Sequence, residues 1–134
     1  MVRLSGRREM TKKILVIDDD ELMLMALSNA LEAEDRILFS TADGPRGIEI
    51  CETEQPDLVL LDIGLPSVNG LDVLRKIRKV FPAIRVIIIT GYASSQAEAE
   101  ALRLGAYGFY AKGADVDQLS AIIQAALDEP DSME

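Results

Sequence analysis

Histidine and tryptophan are absent from this chain of 134 residues, and cysteine occurs once, as Cys51. Without histidine there is no Ser-His-Asp triad, and one thiol cannot build a thiolate–imidazole zinc site. The lone Cys51 cannot close an internal disulfide, which fits a reducing cytoplasm. No apolar run approaches the roughly 20 residues of a membrane-spanning helix. Positive charge is scarce as well: 14 basic against 23 acidic residues leave a net charge of −9. The basic groups crowd at the start, where Arg3, Arg7, Arg8, Lys12 and Lys13 lie within residues 1–13 without the apolar stretch of a secretory signal. The acidic remainder argues against direct binding of nucleic acid, and without a long apolar run no membrane association is expected; the basic start could touch an anionic surface, although a loose leader is the preferred reading.

What is present is an apolar fraction of 49% on a chain of single-domain length, enough for a real core. Five apolar runs have strand length: KILVID (13–18), RILFSTA (36–42), DLVLLDI (57–63), RVIIITG (85–91) and YGFYAK (107–112). The first, third and fourth are almost unbroken in Val, Ile and Leu, as strands covered on both faces are. Between and after them lie helical patterns at 21–34, 45–54, 70–80, 94–104 and 115–128. In the first, Leu22, Met25, Ala26 and Asn29 form one stripe, with Leu24, Leu27 and Leu31 beside it. Asp43 before Pro45 and SSQAE at 94–98 are helix-start chemistry. Met23, Met25 and Cys51 are expected to be packing residues. Strict alternation predicts an α/β fold: a (βα)5, doubly wound, five-stranded parallel sheet with strand order 2-1-3-4-5, flavodoxin-like. The expected organisation is a flexible basic leader at 1–11 (Met10 being a natural start), one domain at 12–128 and a frayed tail or linker stub at 129–134.

In open parallel sheets, ligands bind at the carboxyl ends of the strands. The polar residues there are Asp18 and Asp19 after strand 1, Asp62 after strand 3, Thr90 after strand 4 and Lys112 after strand 5. The expected strand order brings them to one rim. Three carboxylates together are unfavourable without a hard cation, and oxygen ligands suit Mg²⁺. A carboxylate can also be a nucleophile that accepts a phosphoryl group, with a metal, a lysine and a hydroxyl stabilising the transferred charge. Asp62 is the best nucleophile candidate, because it ends the most apolar strand and enters the turn IGLPSVNG. Asp20 and Glu21 are assigned to the start of the first helix, whose N-terminus favours acids. Arg75, Lys76, Arg78 and Lys79 read as a solvated helix face.

IDDD after strand 1, LLDIGLPSVNG around strand 3, IIITG at strand 4 and GAYGFYAKG at strand 5 together resemble the receiver (CheY-like) domain of two-component response regulators, over about residues 12–128. The resemblance implies that Asp62 is the phosphoacceptor, Asp19 a direct Mg²⁺ ligand and Asp18 a second acid holding the metal through water. It implies a further metal ligand in the Gly64 backbone carbonyl. Thr90 and Lys112 match the phosphate-sensing pair, and Phe109 the aromatic switch position. The implied donor is a phosphohistidine on a sensor histidine kinase or a phosphotransfer protein. Phosphorylation would then draw Thr90 inward, let Phe109 rotate and alter the face made by helix 4, strand 5 and helix 5. That face could carry a homodimer. In this role the chain is a phosphoacceptor that assists its own phosphorylation and dephosphorylation, not a turnover enzyme.

Three positions depart from the family pattern. Gly113 follows Lys112 where proline in a cis bond is usual, so a trans bond and a different loop are expected. Phe109 lacks the hydroxyl of the commoner tyrosine, and Gly91 stands where alanine is frequent. Gly64 and Tyr92, two residues after Asp62 and Thr90, would flank the phosphate, with Tyr92 either shielding it or pointing outward. Two rival readings remain at this level. Asp18-Asp19-Asp20 contains the D-x-D of a haloacid dehalogenase-type phosphatase, although IIITG supplies no later acidic pair. The altered loop after Lys112 would suit a degenerate receiver that only binds partners.

Overall fold

A computed structural model describes residues 11–31, 35–66 and 68–129. The expected leader, apart from Thr11, and the expected tail, apart from Glu129, lie outside the described residues, as does the predicted end of the first helix beyond Leu31.

Strands and helices alternate: β1 (Lys12–Ile17), α1 (Glu21–Leu31), β2 (Arg36–Thr41), α2 (Gly44–Glu54), β3 (Leu58–Asp62), α3 (Gly70–Val80), β4 (Arg85–Thr90), α4 (Ser95–Arg103), β5 (Gly108–Ala111) and α5 (Val116–Asp128). The five strands form one parallel sheet in the order β2-β1-β3-β4-β5, as the alternation predicts. Every residue of the central strand β3 is buried, which explains its unbroken LVLLD. The edge strands β2 and β5 are largely half-buried.

Side chains alternate across the sheet and divide the core in two. Leu15, Ile17, Val59, Leu61, Val86 and Ile88 pack on one face with Cys51 of α2, Leu74 and Ile77 of α3 and Ala101 of α4. Ile14, Val16, Leu58, Leu60, Ile87 and Ile89 pack on the other with Leu27 and Leu31 of α1 and Leu119 and Ile123 of α5. Burial pushes the Cys51 thiol up to about 11, so it is an inert packing group as expected.

Helix α1 differs from its first reading. Its inward face is Leu27 and Leu31, with Met23 and Leu24 packed beside them, whereas Leu22 is 78% and Met25 62% exposed. Met25 is therefore not a core residue. The segment ELMLMALSNAL is apolar on two sides, so periodicity alone leaves its inward face undetermined. The caps at Asp43 and Ser94 follow the sequence, and Asn69 and Asp115 add two more. Asp43 accepts from the Arg46 N–H, Asn69 from the Leu71 N–H, Ser94 from the Ala97 N–H and Asp115 from the Asp117 N–H. Gly70 opens α3 at very close quarters: a Cβ there would lie 2.2 Å from Ile63 Cα. That approach brings α3 against the backbone of Asp62 and Ile63 at the end of β3.

Candidate functional site

The parallel register sets the rim. Ile17 pairs with Leu61, so Asp18 and Asp62 follow at the same level on adjacent strands. Asp62 in turn pairs with Ile89. Thr90 pairs with Ala111, which places Lys112 one step beyond.

Lys112 is the hub of the site. Its Nζ lies 3.0 Å from Asp62 Oδ2, 3.1 Å from Asp18 Oδ1 and 3.0 Å from Asp18 Oδ2, with Asp20 Oδ2 more distant at 3.4 Å. Asp18 is fully buried and Asp62 only 5% exposed. Such carboxylates persist in a fold only when paired. Backbone donors help: the Gly64 N–H gives 2.7 Å to Asp62 Oδ1, and the Asp20 N–H gives 3.0 Å to Asp18 Oδ1. The pairing is still short of cations. Burial pushes the Asp18 carboxyl up to about 6, and its hydrogen-bonding and Coulombic contact with Asp62 pushes the same way, against the Asp20 backbone and Lys112. For Lys112, burial works against the charge, yet Asp18 and Asp62 outweigh it and raise its pKa.

Carboxylate oxygens of Asp18, Asp19 and Asp62 lie within 4.8 Å of one another. Asp18 Oδ2, although 3.0 Å from the Lys112 ammonium, has no hydrogen-bond partner. A buried acceptor with lone pairs to spare, beside the exposed Asp19, is the donor set a hard divalent cation prefers. The chemistry of these residues fits Mg²⁺.

Thr90 is fully buried, and its Oγ1 accepts from the Tyr92 N–H at 3.0 Å. Tyr92 is 82% exposed, yet it does not simply point away. A Cβ built on Gly64 would lie 3.3 Å from both Tyr92 Cδ2 and Asp62 Oδ1, so the tyrosine ring and the Asp62 carboxylate flank the same glycine. A Cβ at Gly91 would meet nothing within 4 Å, so the space on that side of Gly91 is open. Phe109 is half-buried against the core face of Ile88, its partner in the β4–β5 register.

Two features escaped the sequence. Asp20 does cap α1, accepting from the Leu22 and Met23 N–H groups, but it also reaches Lys112. Accepting the Met23 N–H, foremost, keeps its carboxyl below the usual range. Tyr110 is buried, and its hydroxyl donates to the Ala114 carbonyl at 2.6 Å, tying down the loop after Lys112. That loop contains no cis peptide bond, and Gly113 sits at φ +95°, a conformation closed to proline.

The family model of the response regulator receiver domain matches residues 14–124. The chain belongs to this family. Among the receiver domain's relatives, it is 33% identical over 118 residues to the sporulation initiation phosphotransferase F of Bacillus subtilis, covering 88% of this chain and 95% of that one. Several other relatives are longer regulators, and the chain spans 24% to 59% of their length. Among solved structures, a CheY-like receiver domain protein from Methanospirillum hungatei superposes with a TM-score of 0.81 at 33% identity, over 88% of this chain and 94% of that chain. A response regulator protein from Burkholderia pseudomallei, solved with a phosphorylated aspartic acid, a calcium ion and citrate, gives 0.75 at 28% identity, over 87% of this chain and 66% of that chain. The protein is thus a receiver domain of two-component signalling, a phosphoacceptor family whose members act with histidine kinases or phosphotransfer proteins. No helix among the described residues is long and apolar enough to cross a membrane.

Proposed function

We propose that Asp62 of this receiver domain accepts a phosphoryl group from a phosphohistidine on a sensor kinase or phosphotransfer protein, in the cytoplasm. The observation that carries this reading is the nearly buried Asp62 carboxylate, tied by Gly64 and Lys112 and grouped with Asp18 and Asp19. An Asp62 oxygen attacks phosphorus as the phosphorus–nitrogen bond breaks, and the electron pair leaves with the imidazole. Lys112 then shifts its ammonium from Asp62 Oδ2 to the phosphoryl oxygens. Thr90 offers its hydroxyl proton to another of them. Asp18, Asp19, Asp62 and the Gly64 carbonyl would hold a Mg²⁺ ion, which supplies positive charge to the transferring group. Asp18 is less suited to be the nucleophile than the D-x-D reading requires, because both of its oxygens lie against Lys112, at 3.1 and 3.0 Å, whereas only Oδ2 of Asp62 does.

Thr90 moving toward the phosphoryl group vacates space behind it, and Phe109, on the same sheet face, turns into that space. The surface of α4, β5 and α5 changes with it, as a biased two-state equilibrium. This surface is where a homodimer or another protein would be gained or lost. The domain catalyses only its own phosphorylation and dephosphorylation, and its acidic surface keeps it from binding nucleic acid directly. Acetyl phosphate with Mg²⁺ tests the reading. The expected result is a phosphate-mass adduct, absent in Asp62→Asn. Multiple-turnover hydrolysis that survives this substitution would favour a phosphatase, and no adduct at all a binding module.

A further inference from the structure

Strand β5 is the sheet edge, flanked by α4 and α5, and a cavity of about 320 Å³ opens over it. Its lining includes Ala93, Phe109, Ala114 and Ile122, with Glu98 and Gln118 contributing polar groups. A second acid stands nearby: the charge of Asp115 reaches the buried Tyr110, and Asp117 follows it, exposed, in the first turn of α5. Positive charge to balance them is already committed. Between residues 91 and 129 the bases are Arg103, paired with Glu100, and Lys112, paired with the carboxylates of the rim.

We propose that this socket docks a basic amphipathic segment of a second protein, an apolar side chain entering beside Phe109 and Lys or Arg meeting Glu98 and Asp115. The inference rests on the switch reading above and names the partner class of its output face. A second copy of the chain is the poorer occupant. A two-fold interface sets each patch against itself, so Glu98, Asp115 and Asp117 would meet the same acids, with no unspent base to separate them. Like charges facing each other across an interface reject a partner, whereas a basic partner is steered in and held. An apolar anchor in a pocket with charges at its edge is the usual form of such a contact. Because Phe109 lines the socket, its rotation toward Thr90 deepens the cavity and couples docking to phosphorylation.

The test uses the full chain with Mg²⁺ and beryllofluoride and two helical probe peptides of identical leucine pattern, one Leu/Lys and one Leu/Glu. The Leu/Lys peptide is expected to bind, with amide shift changes gathered at residues 93–98 and 109–122, while the protein sediments as a monomer. The E98Q/D115N variant, which keeps an Asn cap on α5, should weaken binding about fivefold, whereas E49Q/E52Q on α2 should leave it unchanged. Shift changes spread over all acidic surfaces, equal weakening by both variants, or a beryllofluoride-dependent dimer would overturn the proposal. Should acetyl phosphate leave no adduct on Asp62, the switch reading falls, while peptide mapping on the unmodified protein still decides the socket.

Discussion

The two ends of the sheet treat charge in opposite ways. At the carboxyl end, one ammonium serves Asp18, Asp62 and more loosely Asp20, and Asp18 Oδ2 meets it as an ion pair without a hydrogen bond of its own. At the amino end, Arg85 donates to the Ala126 and Glu129 carbonyls at 2.7 Å and lies over the Tyr107 ring, whose hydroxyl meets Glu129 at 2.8 Å. Arg78 closes the neighbouring turn through the Pro82 and Ile84 carbonyls. One end is satisfied within the chain and holds the last turn of α5 to the sheet. The other is incomplete within the chain, which is the condition for responding to something from outside.

Removing the hub should break this contrast most severely. Lys112→Ala leaves two buried carboxylates without their cation and is expected to cost about 3–5 kcal/mol in urea unfolding without metal, part of it recovered by added Mg²⁺. At the other end, Arg85→Ala should cost about 2 kcal/mol, with faster hydrogen exchange at residues 125–129 and an unchanged phosphorylation rate. An altered rate would mean that the two ends are coupled.

The Asp18 carboxyl, raised to about 6 from an ordinary 3.8, gives the rim a pH signature. Its folded state binds the proton more tightly than the unfolded chain does. The resulting stabilisation of the metal-free protein is full below 3.8 and is lost as pH rises through about 6. Metal needs the ionised form, so Mg²⁺ affinity should drop by up to about tenfold per unit as pH falls below 6, as titration calorimetry would read it. A flat profile between pH 5 and 7 would contradict the crowded-carboxylate account. The smallest effect concerns Tyr92. Because its ring stands beside Gly64 and Asp62 while remaining mostly exposed, Tyr92→Ala should change the half-life of the phosphorylated form severalfold and shift stability by less than about 0.5 kcal/mol. An unchanged half-life would remove the tyrosine from the site.

Much of the rim was legible because its residues sit at strand ends, and strand ends follow from runs such as DLVLLDI and RVIIITG. Once the alternation set the strand order, Asp18, Asp62 and Lys112 had to converge. Legibility failed where contacts depend on the angle of a packed element. The inward face of α1 was ambiguous because Leu22 and Met25 are as apolar as Leu27 and Leu31. Asp20 read as a cap, and its reach to Lys112 exists only once β5 has been placed. The Arg85–Tyr107–Glu129 contact joins β4, the residue before β5 and the end of α5, and no local pattern announces it.

The pairing of Ile17 with Leu61 also bears on how such a site can vary. Strand pairing admits whole-residue steps only, and one step turns a side chain to the opposite face. Asp18 therefore stands level with Asp62 or is lost from the rim, with no intermediate setting of the strand ladder. Finer adjustment has to come from the turns after β3, β4 and β5, where Gly64, Tyr92 and Gly113 lie. The sheet acts as a detent and the loops as its vernier.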